Sequence, residues 1–172
     1  LLTNVTSLRV FAEWVNGDEV TRLDNVRLSA TPGSVTTECV ENTFTEAGIG
    51  DWSFEGAGTA SNPESGGNGG GFLQVADRTG ANSYAFAPPA FLGDWSPFAG
   101  DGSLTVDLRI LSAAGTNLGS PDFIRIAGPG GTAHVALSAE DLTIPPRVWK
   151  RFTFPLDVAA WTVDSGSWAA LL

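Results

Sequence analysis

Much of what usually announces a chemistry is scarce in these 172 residues. There is one cysteine, Cys39, so no disulfide can close within the chain, and the count neither requires nor excludes export. Its expected place is that of a small buried hydrophobe. There is one histidine, His134, set in "TAHVALS", where a strand face is the plain expectation. The chain has no G-x-S-x-G elbow and no Cys/His pair at a recognisable spacing, so it is expected not to be an enzyme. Paired carboxylates for glycoside hydrolysis could be drawn from 19 acids in any fold, so they decide nothing.

Cations are scarce as well: 9 Lys and Arg stand against 19 Asp and Glu, a net charge of −10. A field of that sign repels nucleic acid and anionic lipid, and neither is an expected partner. No apolar stretch approaches the roughly 18 residues of a membrane helix, so insertion is not expected either. Leu1 opens no signal peptide, and the numbering is expected to begin inside something longer or after processing. Only 16% of residues are charged, while 21 Gly and 10 Pro punctuate the chain, which favours turns over long helices.

What fills the space between the turns is period-two alternation. In "SLTVDLRIL", Leu104, Val106, Leu108 and Ile110 share one face, with Thr105, Asp107 and Arg109 on the other. In "KRFTFPL", Phe152, Phe154 and Leu156 oppose Arg151 and Thr153, and "SLRVFAEWV" puts Leu8, Val10, Ala12 and Trp14 together. "GFLQVADR", "SYAFA", "DFIRIAG" and "AHVALS" are shorter runs of the same kind. Only "SAEDL" and parts of "DVAAWTVDSGSWAALL" could hold a helical turn. About ten strands at turn-punctuated spacing predict an all-β antiparallel sandwich or jelly roll. Residues 30–36, "ATPGSVT", are the best linker, whereas "SNPESGGNGGG" (61–71) reads as a Gly-rich loop inside the domain. That loop is no phosphate cradle, since no Lys follows and no helix receives it. "NVT" at Asn4 fits a glycosylation sequon but lies against a predicted strand.

From Trp52 onward the order of features resembles the laminin B (laminin IV) domain and its bacterial surface-protein relatives. The series runs "DWSFEGAGT", "GGNGGGFLQVADRTG", "SYAFAPPAFLGDWSPFAGDGSLTVDLRI" and "RVWKRFTFPLD". In that family the closing elements are a strand like "NVTSLRVFAEWVNGDE" and then "LDNVRL"; here they stand at residues 4–28, ahead of the rest. Rejoined as 33–172 followed by 1–32, the sequence takes the family order. The resemblance therefore divides the chain into 1–32, the closing strands of a module plus a linker, and 33–172, the remainder of a laminin B-like sandwich.

Three arrangements fit that permutation: one period of a tandem array, a subunit whose first strands complete a neighbour, or a permuted chain that closes on itself. In the first two, Leu8, Val10, Val26 and Leu28 would be the inter-copy contacts, and copies of the chain itself the partners. The resemblance implies a galactose-binding-like sandwich of an extracellular or cell-surface protein. It also implies a structural Ca²⁺ near the meeting of first and last strands, placing Asp24 opposite Glu41 or Asn42, with Glu13 and Asp77 as further ligands. The local alternative is that Asp24 caps a turn and Asp77 ends a strand. Six Trp raise carbohydrate binding, with Trp95 of "LGDWSPF" as the best exposed candidate and Trp52 and Tyr84 behind it, while the resemblance implies the alternative that Trp95 packs against the Gly-rich turn. The expected function is an extracellular structural module of a filament, stalk or surface layer; the alternative is a glycan-binding or adhesion module.

Overall fold

The computed structural model describes residues 4–14, 19–30, 39–56, 58–77, 82–111, 122–138 and 147–172. Over these the chain is an all-β antiparallel sandwich of two sheets. In chain order the strands are β1 (Ser7–Phe11), β2 (Glu19–Ser29), β3 (Cys39–Asn42), β4 (Ser53–Glu55), β5 (Thr59–Ser61), β6 (Leu73–Asp77), β7 (Tyr84–Phe86), β8 (Ser103–Ile110), β9 (Ile124–Gly128), β10 (Gly131–Val135), β11 (Lys150–Pro155) and β12 (Thr162–Gly166). A single helical turn, α1 (Trp168–Leu171), follows. The first sheet has the order β12-β10-β9-β1-β7-β4, the second β11-β8-β2-β6-β5, with β3 also paired to β2.

Each long alternating run became a strand with its apolar face inward. Leu104, Val106 and Leu108 of β8 are fully buried, as are Leu8 and Val10 of β1, and they share one core with Leu23, Val26 and Leu28 of β2. Burial of one such side chain stabilises by about 1.5–3 kcal/mol, which is why period two dictates which face turns in. The strands β3, β4 and β5 carry too few residues to show a period, β12 (TVDSG) has the length but no alternating apolar residues, and all four complete the sheets by pairing with a neighbour.

Both early strands sit in sheet interiors of their own chain. β1 lies between β9 and β7, from Ser7 opposite Ala127 to Phe11 opposite Tyr84. β2 pairs with β8 along one side, and along the other with β6 at its first half and β3 at its second. Residues 31–36 of the expected linker and 139–142 of "SAEDL" lie outside the described residues.

Cys39 departs from the expectation of burial: it is exposed, with Arg27 Nε 3.1 Å from its sulfur. Strand alternation is the reason, since β3 turns Val40 toward the core and Cys39 and Glu41 outward, opposite Ser29 and Arg27.

Candidate functional site

Two stretches that the sequence set apart, "LDNV" and "GGNGGG", meet on the outer face of the second sheet. β2 carries a bulge between Asp24 and Arg27, and Asn25 takes a left-handed φ of 47° there, a conformation that Asn tolerates better than most residues. The bulge turns the Asp24 carboxylate under the Gly-rich loop, where it accepts the backbone N–H groups of Asn25 (2.7 Å) and Asn68 (2.6 Å). Asp107, directly opposite on β8, accepts the side-chain amides of Asn25 and Asn68, each at 2.8 Å. Arg151 of β11 then grips Asp107 with two nearly parallel bonds, 2.7 Å from Nε and 2.9 Å from its terminal nitrogen. Gly67 permits the approach: a β-carbon there would strike the Gly71 carbonyl and press on the Asp24 carboxylate.

The electrostatics follow from this wiring. Burial raises the Asp24 pKa, only partly opposed by the two backbone N–H groups. Burial alone would raise Asp107 as well, but Arg151 and the two amides overcome it and hold that carboxyl below its ordinary value. Arg151 is raised in turn by Asp107.

As a calcium set, the five expected ligands do not converge. The Asp24 oxygens are taken by N–H donors rather than turned toward open space, and Asp24 faces Asp107 rather than Glu41 or Asn42. Glu41 and Asn42 pair instead with Arg27 and Val26, and the Asn42 side-chain oxygen accepts the Phe44 N–H at 2.9 Å. Beside them the carbonyls of Phe44, Glu46 and Gly48 converge at 3.1, 2.7 and 2.6 Å, but on the Asn62 amide nitrogen, which occupies the place a cation would take. Glu13 and Asp77 stand together at the far end of the sandwich. Glu13 is buried, its Oε2 has no hydrogen-bond partner, and burial followed by the Asp77 charge raises its pKa. The Ser83 hydroxyl donates to Asp77. Among the described residues, no group of three or more His, Cys, Asp or Glu is placed to hold an ion.

The expected sugar platform is mostly core. Trp95 is 1% exposed rather than presented on a loop, because 3-10 turns at Pro89–Phe91 and Ser96–Phe98 fold that loop inward and the indole donates to the Phe91 carbonyl at 2.9 Å. Trp52 is 2% exposed, packed between Phe44 and Phe91. Neither offers a ring face to a ligand. Tyr84 is half-buried on the outer face of the first sheet, with the Arg9 guanidinium 4.2 Å from its ring centre. Arg9 begins a charged row across that sheet. Arg125 bonds Asp122 at 2.6 Å and approaches Asp164 at 3.3 Å, and His134 Nδ1 lies 2.9 Å from Asp164.

The early segment closes the sandwich, and its beginning lies beside the chain's last residue. Leu8, Val10, Val26 and Leu28 are all buried in the core of this single chain. Val5 exchanges two backbone bonds with Gly93, each 2.8 Å, while Trp95 N–H donates to the Leu172 carbonyl at 2.9 Å. Residues 4–5 and 172 therefore meet on one turn, 93–95.

Sequence reasoning missed Asp107, Arg151 and Asn68. Their signal was present but weak: an Asp among the outward positions of a strongly alternating strand, an Arg outward on the next, and one Asn inside a glycine run. Comparison with protein-family models, curated proteins and solved structures gives no match.

Proposed function

We propose that the chain is a non-catalytic structural module of an extracellular or cell-surface protein, laminin B-like in its order of features, that joins to copies of itself through residues 4–28. One observation carries the reading: this segment supplies an interior strand to each sheet, so that whichever copy provides it completes both. In trans, the exchange would carry β1 and β2 to a neighbour, where the pairings with β7, β9, β6 and β8 form again. A body deprived of both strands would expose apolar sheet faces and the edges of β3, β6, β7, β8 and β9, a strong drive to recruit a replacement. Glycan binding through Trp95 and Trp52 is the weaker reading, because their indoles are core residues.

Cross-linking tests the exchange. In a Cys39→Ser background, cysteines at Ser7 and Ala127, which face each other across β1 and β9, are close enough to oxidise. Refolding at high concentration followed by oxidation is expected to give a ladder on a denaturing, non-reducing gel. Cross-linked monomer alone, at every concentration, would overturn the reading.

A further inference from the structure

Beyond the Asp107 network, the outer face of the second sheet holds a cluster with the opposite imbalance. β2 and β8 place Arg22 directly opposite Arg109. Like charges facing across strands are destabilising. In a chain with 19 acids and 9 cations, a neutralising partner is the ordinary solution, as the other charged rows show. Here, among the described residues, neither guanidinium has a carboxylate partner. Arg22 Nε reaches only the Gln74 amide oxygen, at 3.2 Å, and Arg109 only the Gly66 carbonyl, at 3.4 Å.

Aromatic rings hold the pair in place. Arg22 lies 4.4 Å from the Phe72 ring centre and Arg109 5.9 Å from that of Trp149, while Phe72 and Trp149 meet edge to face at 6.0 Å. Two buried donors in this cluster, Arg109 Nε and Trp149 Nε1, have no hydrogen-bond partner. Buried polar atoms are nearly always bonded, and here two donors without a partner among the described residues lie in the same cluster as the paired cations. Burial and the Arg109 charge together lower the Arg22 pKa, the direction expected of a cation lacking its counterion.

We propose that Arg22, Arg109 and Trp149 form a binding site for a carboxylate carried on a sugar ring, a single uronate unit of an otherwise neutral glycan. A planar carboxylate matches the guanidinium fork and can also accept the indole N–H. A singly charged group is favoured over phosphate because the net charge of −10 repels each added negative charge. A sugar is favoured as its carrier because the half-exposed Trp149 indole offers an apolar edge for ring C–H groups beside polar Gln74. The site needs β2 opposite β8, whichever copy supplies β2, so it stands or falls apart from the assembly reading.

Calorimetric titration of the intact chain with galacturonate, against its methyl ester, tests this. The acid is expected to bind and the neutral ester not. Arg22→Gln and Arg109→Gln are each expected to weaken binding roughly tenfold or more, and Trp149→Phe, which keeps a ring but loses the N–H, by a smaller factor. Without ligand, Arg22→Gln should melt no lower than the parent, since it relieves a like-charge contact. Equal binding of acid and ester, binding indifferent to both Arg variants, or preference for a peptide C-terminal carboxylate over uronate would overturn the proposal. So would a marked fall in the melting temperature of Arg22→Gln, which would make the pair a structural element.

Discussion

The outer faces of the two sheets are written in the same alphabet and differ in what covers them. On the first sheet, Arg9, Asp122, Arg125, His134 and Asp164 form a row of alternating sign whose side chains keep 14–29% of their surface in water. On the second, the Gly-rich loop lies over Asp24 and Asp107, and the Asp107 side chain has no exposed surface. In water such pairs contribute about 0–1 kcal/mol each, because solvent competes for both partners. Under the loop, a carboxylate stripped of water must be satisfied by protein donors or be driven out. The burial, more than the number of ion pairs, therefore makes one face a structural lock and leaves the other a solvated surface.

The sharpest way to break that contrast is Asp107→Asn. It removes the charge that Arg151 grips and sets an amide against the amides of Asn25 and Asn68. A loss on the order of 2–4 kcal/mol is expected in chemical denaturation, kept from rising further because Arg151 is 58% exposed and can be rehydrated. A loss below about 0.5 kcal/mol would erase the distinction between the faces. Gly67→Ala attacks the cover instead of the charge. Its β-carbon must displace the Gly71 carbonyl, so a loss of about 1–3 kcal/mol is expected, with faster amide exchange at Asn68. If the variant melts like the parent, the loop does not press on Asp24 as described.

Acidification sharpens the comparison through signs. Asp107 is depressed in the folded state, so its stabilisation is present above the unfolded carboxyl pKa and is lost as pH falls through the lower folded value. Asp24 is raised, so its contribution runs the other way: greatest below the unfolded pKa and lost as pH rises through the folded one. Replacing Asp107 should accordingly flatten the acid limb of the stability–pH curve, while replacing Asp24 should steepen it. Parallel curves for the two variants would contradict this assignment. The smallest effect belongs to the solvated face: Asp164→Asn is expected to change stability by no more than about 0.5 kcal/mol, read by thermal melting.

How much of this was legible in the sequence depended on where each residue draws its energy. The runs at 103–111 and 150–156 announced their faces because burial acts on every second residue in turn. Trp95 stayed open between core and platform for the opposite reason. A tryptophan between Gly93 and Pro97 has loop neighbours and no period of its own, and only the inward folding of 89–98 buries it. Asp24 was expected to hold a cation or cap a turn, but its partners lie 44 and 83 residues away and no local rule could name them. Of its two expected companions in a metal site, Asn42 spends its side-chain oxygen on its own turn and Glu41 faces Arg27.

By itself the sequence determined that this is a two-sided β protein, which residues of each long strand turn inward, and that residues 4–28 form strands. Those properties are local, set by a two-residue period and by turn residues acting on their neighbours. Only the tertiary structure decided that these strands lie in the interior of both sheets, beside the chain's last residue. It alone set Asp107 and Arg151 under the Gly-rich loop and brought Arg22 opposite Arg109 with no carboxylate partner among the described residues. Strand order and register are fixed by contacts between distant segments, and those contacts decide whether a given charge is buried, paired or left to seek a partner elsewhere.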